Sequence, residues 1–149
     1  MTGACPQPGA PEPGSVSALQ GNCPFCRRLA AHHDLIAETS LCAAFYDTTP
    51  LNPGHALVVP RRHEPDFLAL TGDEHGDIMR MTVELRVLLD RRYRPDGFNL
   101  GANVGDAAGQ TIAHAHLHLI PRITGDVPDP RGGIRWLIPE RAPYWETKP

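Results

Sequence analysis

Three histidines alternate in the segment Thr111-Ile-Ala-His114-Ala-His116-Leu-His118-Leu-Ile-Pro121. A neutral imidazole is a competent nucleophile near neutral pH, because its ordinary pKa is about 6.5. Its attack on phosphorus gives a phosphoramidate, a covalent intermediate that splits one hard displacement into two easier ones. A metal site is the rival reading. In a strand, residues two apart share a face about 6.6 Å apart in Cα, and residues four apart are separated by about 13 Å. Neighbouring imidazoles can reach one ion through bonds of about 2.1 Å, but His114 and His118 are too far apart to share it. The three do not make a three-histidine metal site, and at least one must do other chemistry.

The segment before them, Asn103-Val-Gly-Asp-Ala-Ala-Gly-Gln110-Thr111, is rich in small residues. Its backbone amides, with Gln110 and Thr111, could donate to an anion. Neither a GxxxxGK phosphate loop nor a GxGxxG turn opening a helix is present, so the common nucleotide folds are unsupported. A second group that could do chemistry is Cys23-Pro-Phe-Cys26. A redox pair of the thioredoxin kind would need a βαβ pattern nearby, and none is apparent. A structural zinc would need four ligands, hence two histidines besides the cysteines. Cys5 and Cys42 read as spectators, and His32, His33 and His75 as solvated surface residues.

The elements that must hold these groups can be read from periodicity and turn chemistry. Pro24 to about His32 fits a short helix, and Leu35–Glu38 with Leu41–Tyr46 fit two strands of a hairpin. Ala56–Val59 reads as a buried strand that Pro60 ends. Thr71-Gly-Asp-Glu74 is a capping box. Ile78, Met81, Leu85, Leu88 and Leu89 follow it at helical spacing. Phe98–Asn103 and Ile112–Ile120 complete the strands. In the last of these, His114, His116 and His118 line one face, while Ala113, Ala115, Leu117 and Leu119 line the other and pack on a helix. Strand follows strand early, so the expected class is α+β, with a five-stranded antiparallel sheet and two helices.

The whole chain has 149 residues, eight His, four Cys and a formal net charge of −3. That length suits one domain. The acidic balance argues against a nucleic-acid groove, which needs a basic stripe. No apolar run approaches the roughly 20 residues of a membrane span. No positive and then apolar leader opens the sequence, so a cytoplasmic chain with reduced thiols is expected. Residues 1–20 are rich in Pro, Gly, Ala and Ser and read as a disordered tail.

With those residues in view, HAHLHLIP resembles the His-x-His-x-His signature of the histidine triad (HIT) proteins, a family of nucleotide hydrolases and transferases. The resemblance runs from Cys23 to about Arg122. It takes in Ala44-Phe-Tyr-Asp47, Pro53-Gly-His55-Ala-Leu-Val-Val-Pro60, Arg61-Arg-His63, Gly97-Phe-Asn-Leu-Gly101 and Ala108-Gly-Gln-Thr111. It implies a HIT domain over 21–123, followed by a loop-rich extension over 124–149 that packs on the domain or on a partner subunit. It implies a homodimer that binds a small-molecule nucleotide.

It also implies roles. His116 attacks an α-phosphate, His118 contacts the phosphate and helps protonate the leaving group, and His114 and His55 belong to the same site. Asn103, Gln110 and Thr111 match phosphate-contacting positions. Asp47 matches a ribose-binding position, though it also reads as a turn residue before Thr48-Thr49-Pro50. Phe25 and Phe45 match base-pocket walls, though both also read as core. In a zinc-binding subset of the family, the CxxC pair is joined by histidines matching His63 and His114, which gives a structural Zn2+ site on Cys23, Cys26, His63 and His114.

The first expectation for function is a dinucleoside polyphosphate hydrolase working through a nucleotidyl-histidine. The segment after the triad resembles that branch and offers Arg131 and Arg135 for a second phosphate. The alternatives are a nucleoside phosphoramidase and a non-enzymatic nucleotide-binding module. The intact His116 argues against the module.

Overall fold

In the computed structural model, which describes residues 21–145, five strands form one antiparallel sheet in the order β1-β2-β3-β5-β4. The strands are β1 (Leu35–Glu38), β2 (Cys42–Tyr46), β3 (Ala56–Pro60), β4 (Gly97–Gly101) and β5 (Leu117–Arg122). Helix α1 (Pro24–Ala30) covers one face and α2 (Gly72–Tyr93) the other. No helix among the described residues is long and apolar enough to cross a membrane.

The central strands are apolar on both sides because both faces are covered. Ala44, Ala56, Val58, Leu117 and Leu119 meet Ile78, Met81, Leu85 and Leu89 of α2. Ala43, Phe45, Leu57 and Val59 meet Phe25 and Leu29 of α1. The expected capping box is formed: Thr71 Oγ1 accepts from Glu74 N at 3.2 Å, and a Glu74 carboxylate oxygen accepts from Thr71 N at 2.8 Å. Arg62 adds two hydrogen bonds of 3.0 Å to the same carboxylate. This ties the loop after β3 to the start of α2. At the other end Arg94 takes the left-handed conformation, with φ 51°, just before Pro95, which fits a helix that cannot continue into proline.

Two elements depart from expectation. The strand expected over 112–120 begins only at Leu117. Upstream, His114 N donates to Ile112 O at 2.8 Å in a tight turn, and Ala115 N donates to Glu64 O at 2.6 Å. A loop carbonyl therefore takes the amide that a neighbouring strand would have paired. In consequence Ala113 is exposed, while Ala115, Leu117 and Leu119 do join the core beneath α2. The last segment is also not simple loop. Pro121 and Arg122 belong to β5, and 3-10 turns form at Gly133–Leu137 and Pro139–Arg141.

Cys42 is fully buried, and its Sγ donates to Asp77 at 3.1 Å, tying β2 to α2. His32 and His33 are exposed, beside Glu38 and Asp34. His75 is half-buried with its ring 5.1 Å from that of Phe67, so it is not a solvated residue. Cys5 and the 1–20 tail lie outside the described residues.

Candidate functional site

Two histidine clusters meet on the α1 side of the sheet. The first is centred on His116. Its ring lies 5.0 Å from that of His118 and 5.4 Å from that of Phe25. His116 Nδ1 is 2.8 Å from the carbonyl oxygen of His114. A carbonyl only accepts, so Nδ1 carries the proton and Nε2 carries the lone pair. The ring is thereby held in the tautomer a nucleophile needs.

His55, at the mouth of β3, reaches His118: its Nε2 is 2.9 Å from His118 Nδ1. Leu51 N donates to His55 Nδ1 at 3.2 Å, which places the proton of neutral His55 on Nε2. That N–H then donates to His118 Nδ1, so neutral His118 carries its own proton on Nε2. Both rings hold the neutral form this chain requires. Burial lowers the pKa of His55 against the pull of Asp47. Burial first, then the neighbouring His116 and His55, push His118 down to about 4. A backbone amide at Leu51 thus fixes which nitrogen of His118 faces outward as a donor.

Asp47 stands beside this pair, with Oδ2 3.7 Å from His55 Nε2. Its other oxygen accepts from Thr49 N at 2.8 Å, so it is a turn residue as well. Gln110 closes its own loop: Oε1 accepts from Gly105 N at 2.8 Å, and Nε2 donates to Pro65 O at 2.7 Å. Thr111 is exposed and Asn103 half-buried. Phe25 and Phe45 are core residues with ring centroids 5.2 Å apart. The Arg28 guanidinium lies 4.2 Å over the ring of the fully buried Phe45. Arg28, Asp47 and Thr48, with Leu35 of β1 and Leu88 and Arg92 of α2, line a cavity of about 500 Å³ at the β1 edge of the sheet, and none of the site histidines borders it. Arg131 and Arg135 hold the extension to itself. Arg131 pairs with Asp129 at 2.8 Å, and Arg135 donates to Arg141 O at 2.7 Å.

The second cluster is Cys23, Cys26, His63 and His114, whose ligand atoms all lie within 4.8 Å of one another. The fully buried His114 has Nε2 2.8 Å from Pro60 O. That nitrogen must donate, so Nδ1 turns its lone pair to Cys23 Sγ and Cys26 Sγ, each 3.5 Å away. Cys26 Sγ is 3.3 Å from His63 Nδ1. Tetrahedral zinc with bonds of about 2.3 Å to sulfur and about 2.05 Å to nitrogen would separate such atoms by about 3.5 Å. Burial, with the adjacent Cys23 sulfur, pushes the Cys26 thiol up to about 12. Burial pushes His114 down to about 4, helped by His63 and His116. A divalent cation favours the thiolate and the neutral imidazole together, so the donor set fits zinc. The backbone partners Leu51, Pro60 and Glu64 were not legible in the sequence, since a carbonyl or amide has no residue-type signature.

An α+β sheet that sets a tautomer-locked histidine beside a half-buried Cys2His2 group defines a narrow class of protein. The HIT domain family model matches residues 28–125, and the chain belongs to that family. Among its relatives, an AP-4-A phosphorylase of Mycobacterium tuberculosis is 38% identical over 62% of this chain and 48% of its own. An asymmetrical bis(5'-nucleosyl)-tetraphosphatase of Schizosaccharomyces pombe is 36% identical over 60% of this chain and 49% of its own. The match thus spans about half the length of each. Among solved structures, a Zn-bound histidine triad family protein of Mycobacterium smegmatis superposes with a TM-score of 0.66 at 28% identity, over 79% of this chain and 91% of that one.

Proposed function

We propose that the protein is a nucleotide hydrolase that cleaves a dinucleoside polyphosphate at the α-phosphate through a nucleotidyl-His116 intermediate. The observation that carries this reading is the 2.8 Å contact between His116 Nδ1 and His114 O. The names of the two enzymes above, both acting on dinucleoside tetraphosphates, support the substrate class.

In the first step the Nε2 lone pair of His116 bonds to the α-phosphorus, and the bond from phosphorus to the bridging oxygen breaks. The bridging oxygen leaves with the remaining polyphosphate. His118 Nε2–H donates to the phosphate and its leaving oxygen, and His55 holds His118 in that tautomer. Water then attacks phosphorus and releases a proton to solvent, the P–N bond breaks, and its electron pair returns to Nε2. A dinucleoside tetraphosphate yields a nucleoside monophosphate and a triphosphate. Most of the acceleration in such a site comes from positioning and from donors aimed at developing charge. Asp47 receives the ribose, while Asn103, Gln110 and Thr111 flank the phosphate.

Cys23, Cys26, His63 and His114 hold a structural zinc, which ties α1 and the loop after β3 to the residue whose carbonyl orients His116. The reading includes a homodimer. On α2, Met79, Val83 and Val87 recur four residues apart at 46%, 61% and 46% exposure, an apolar row that a second copy could cover. The test is product analysis with diadenosine tetraphosphate, with and without added inorganic phosphate, beside an adenosine phosphoramidate and with His116→Ala as control. Formation of AMP and ATP without phosphate supports the reading. Turnover that requires phosphate, or that prefers the amidate, sinks it in favour of a phosphorylase or a phosphoramidase.

A further inference from the structure

We propose that Asp47, His55 and His118 form a second divalent-cation site of the zinc class, separate from the Cys2His2 group. Their ligand atoms lie within 4.8 Å of one another. His55 Nε2 is 2.9 Å from His118 Nδ1 and 3.7 Å from Asp47 Oδ2. Tetrahedral zinc with bonds of about 2.05 Å separates its ligands by about 3.3 Å, and the two measured spacings bracket that value. The supporting shell is also present. Asp47 Oδ1 accepts from Thr49 N at 2.8 Å and from Thr49 Oγ1 at 3.2 Å, which leaves Oδ2 to turn to a cation.

Two imidazole nitrogens and one carboxylate oxygen select Zn2+, Co2+ or Ni2+ over Mg2+ or Ca2+. Three protein ligands leave a fourth position open, unlike the closed Cys2His2 set. Binding costs two hydrogen bonds, from Leu51 N to His55 Nδ1 and between His55 Nε2 and His118 Nδ1. When a cation takes His55 Nε2, the proton moves to Nδ1, and Leu51 N must turn to water. His118 offers Nδ1 already free of a proton and keeps its proton on Nε2. The cation replaces the hydrogen bond between His55 and His118, so on the reading of function above it acts as an inhibitor. The binding itself does not depend on that reading.

The test is a Co2+ titration of the full chain loaded with one equivalent of Zn2+, read by visible absorption. One further equivalent should bind with d–d bands of a four-coordinate ion and no near-ultraviolet thiolate band. Zn2+ should displace it and Mg2+ should not. Asp47→Asn should weaken it at least tenfold, while a His32→Ala/His33→Ala variant should leave it unchanged. Absence of the thiolate-free equivalent, or its survival at full affinity in Asp47→Asn, would overturn the proposal. A thiolate band on the first Co2+ added would instead report an unfilled Cys2His2 group, a separate result that subtraction of that equivalent resolves.

Discussion

His114 and His116 are joined through one carbonyl. The ring of His114 faces Cys23 and Cys26, with Nδ1 3.5 Å from each sulfur, while its backbone oxygen accepts from His116 Nδ1 at 2.8 Å. One residue therefore belongs to both clusters, by side chain to one and by main chain to the other. A change in the cysteines has a short path to the nucleophile.

Cys23→Ser tests that path. It should lower bound zinc below one equivalent per chain and lower Tm by more than about 5 °C, given how a domain of this size converts lost stability into temperature. It should also slow turnover, through the Cys23 contact with His114. Purified protein without zinc, together with an unchanged Tm in Cys23→Ser, would remove the zinc assignment.

The pair His55 and His118 predicts how stability depends on pH. Burial, helped by His116 and His55, holds His118 at about 4 in the native state, and His55 is lowered in the same direction. The unfolded chain titrates near 6.5. Between those values the unfolded state binds more protons, so stability rises with pH across that window. The contribution is complete above about pH 6.5 and is lost as pH falls toward 4. Urea midpoints measured from pH 4.5 to 7.5 should show this slope, and His118→Gln should reduce it. Parallel profiles for the two proteins would contradict the assignment.

Glu74 is held down to about 2, chiefly by the hydrogen bonds from Arg62. The same carboxylate completes the cap of α2 and anchors the loop that carries His63. Glu74→Gln keeps the capping box but removes the charge that Arg62 pairs with, and should cost about 1 kcal/mol, with a faster loss of zinc to a chelator. Equilibrium unfolding and a zinc-release assay measure the two effects.

Sedimentation of the full chain checks the dimer. The expected species is a homodimer at micromolar concentration, and Val83→Glu should shift it to monomer. A monomeric parent protein would rule out the α2 surface as the contact.

Several parts of this account were legible in the sequence for specific physical reasons. The Thr71–Glu74 capping box sets the start of α2 by local hydrogen bonding, and the short continuous apolar runs of β2 and β3 mark strands covered on both faces. The expected strand over 112–120 was too long because period-2 alternation cannot report which amides find partners. Ala115 N goes to Glu64 O, a carbonyl distant in sequence. Arg131 and Arg135 were offered to a phosphate because their charge was visible, while Asp129 and the carbonyl of Arg141 were not visible as their partners. The tautomers of His55 and His118 depend on Leu51 N, and a main-chain donor leaves no mark in residue type.

The most direct test of the central claim is to trap the covalent intermediate. The protein is mixed with diadenosine tetraphosphate, quenched in base within the first turnover and digested for peptide mass spectrometry. The account predicts an adenylyl group on His116 and on no other histidine, and none in His116→Ala. Turnover without any adduct on His116, or turnover that persists in His116→Ala, would contradict it.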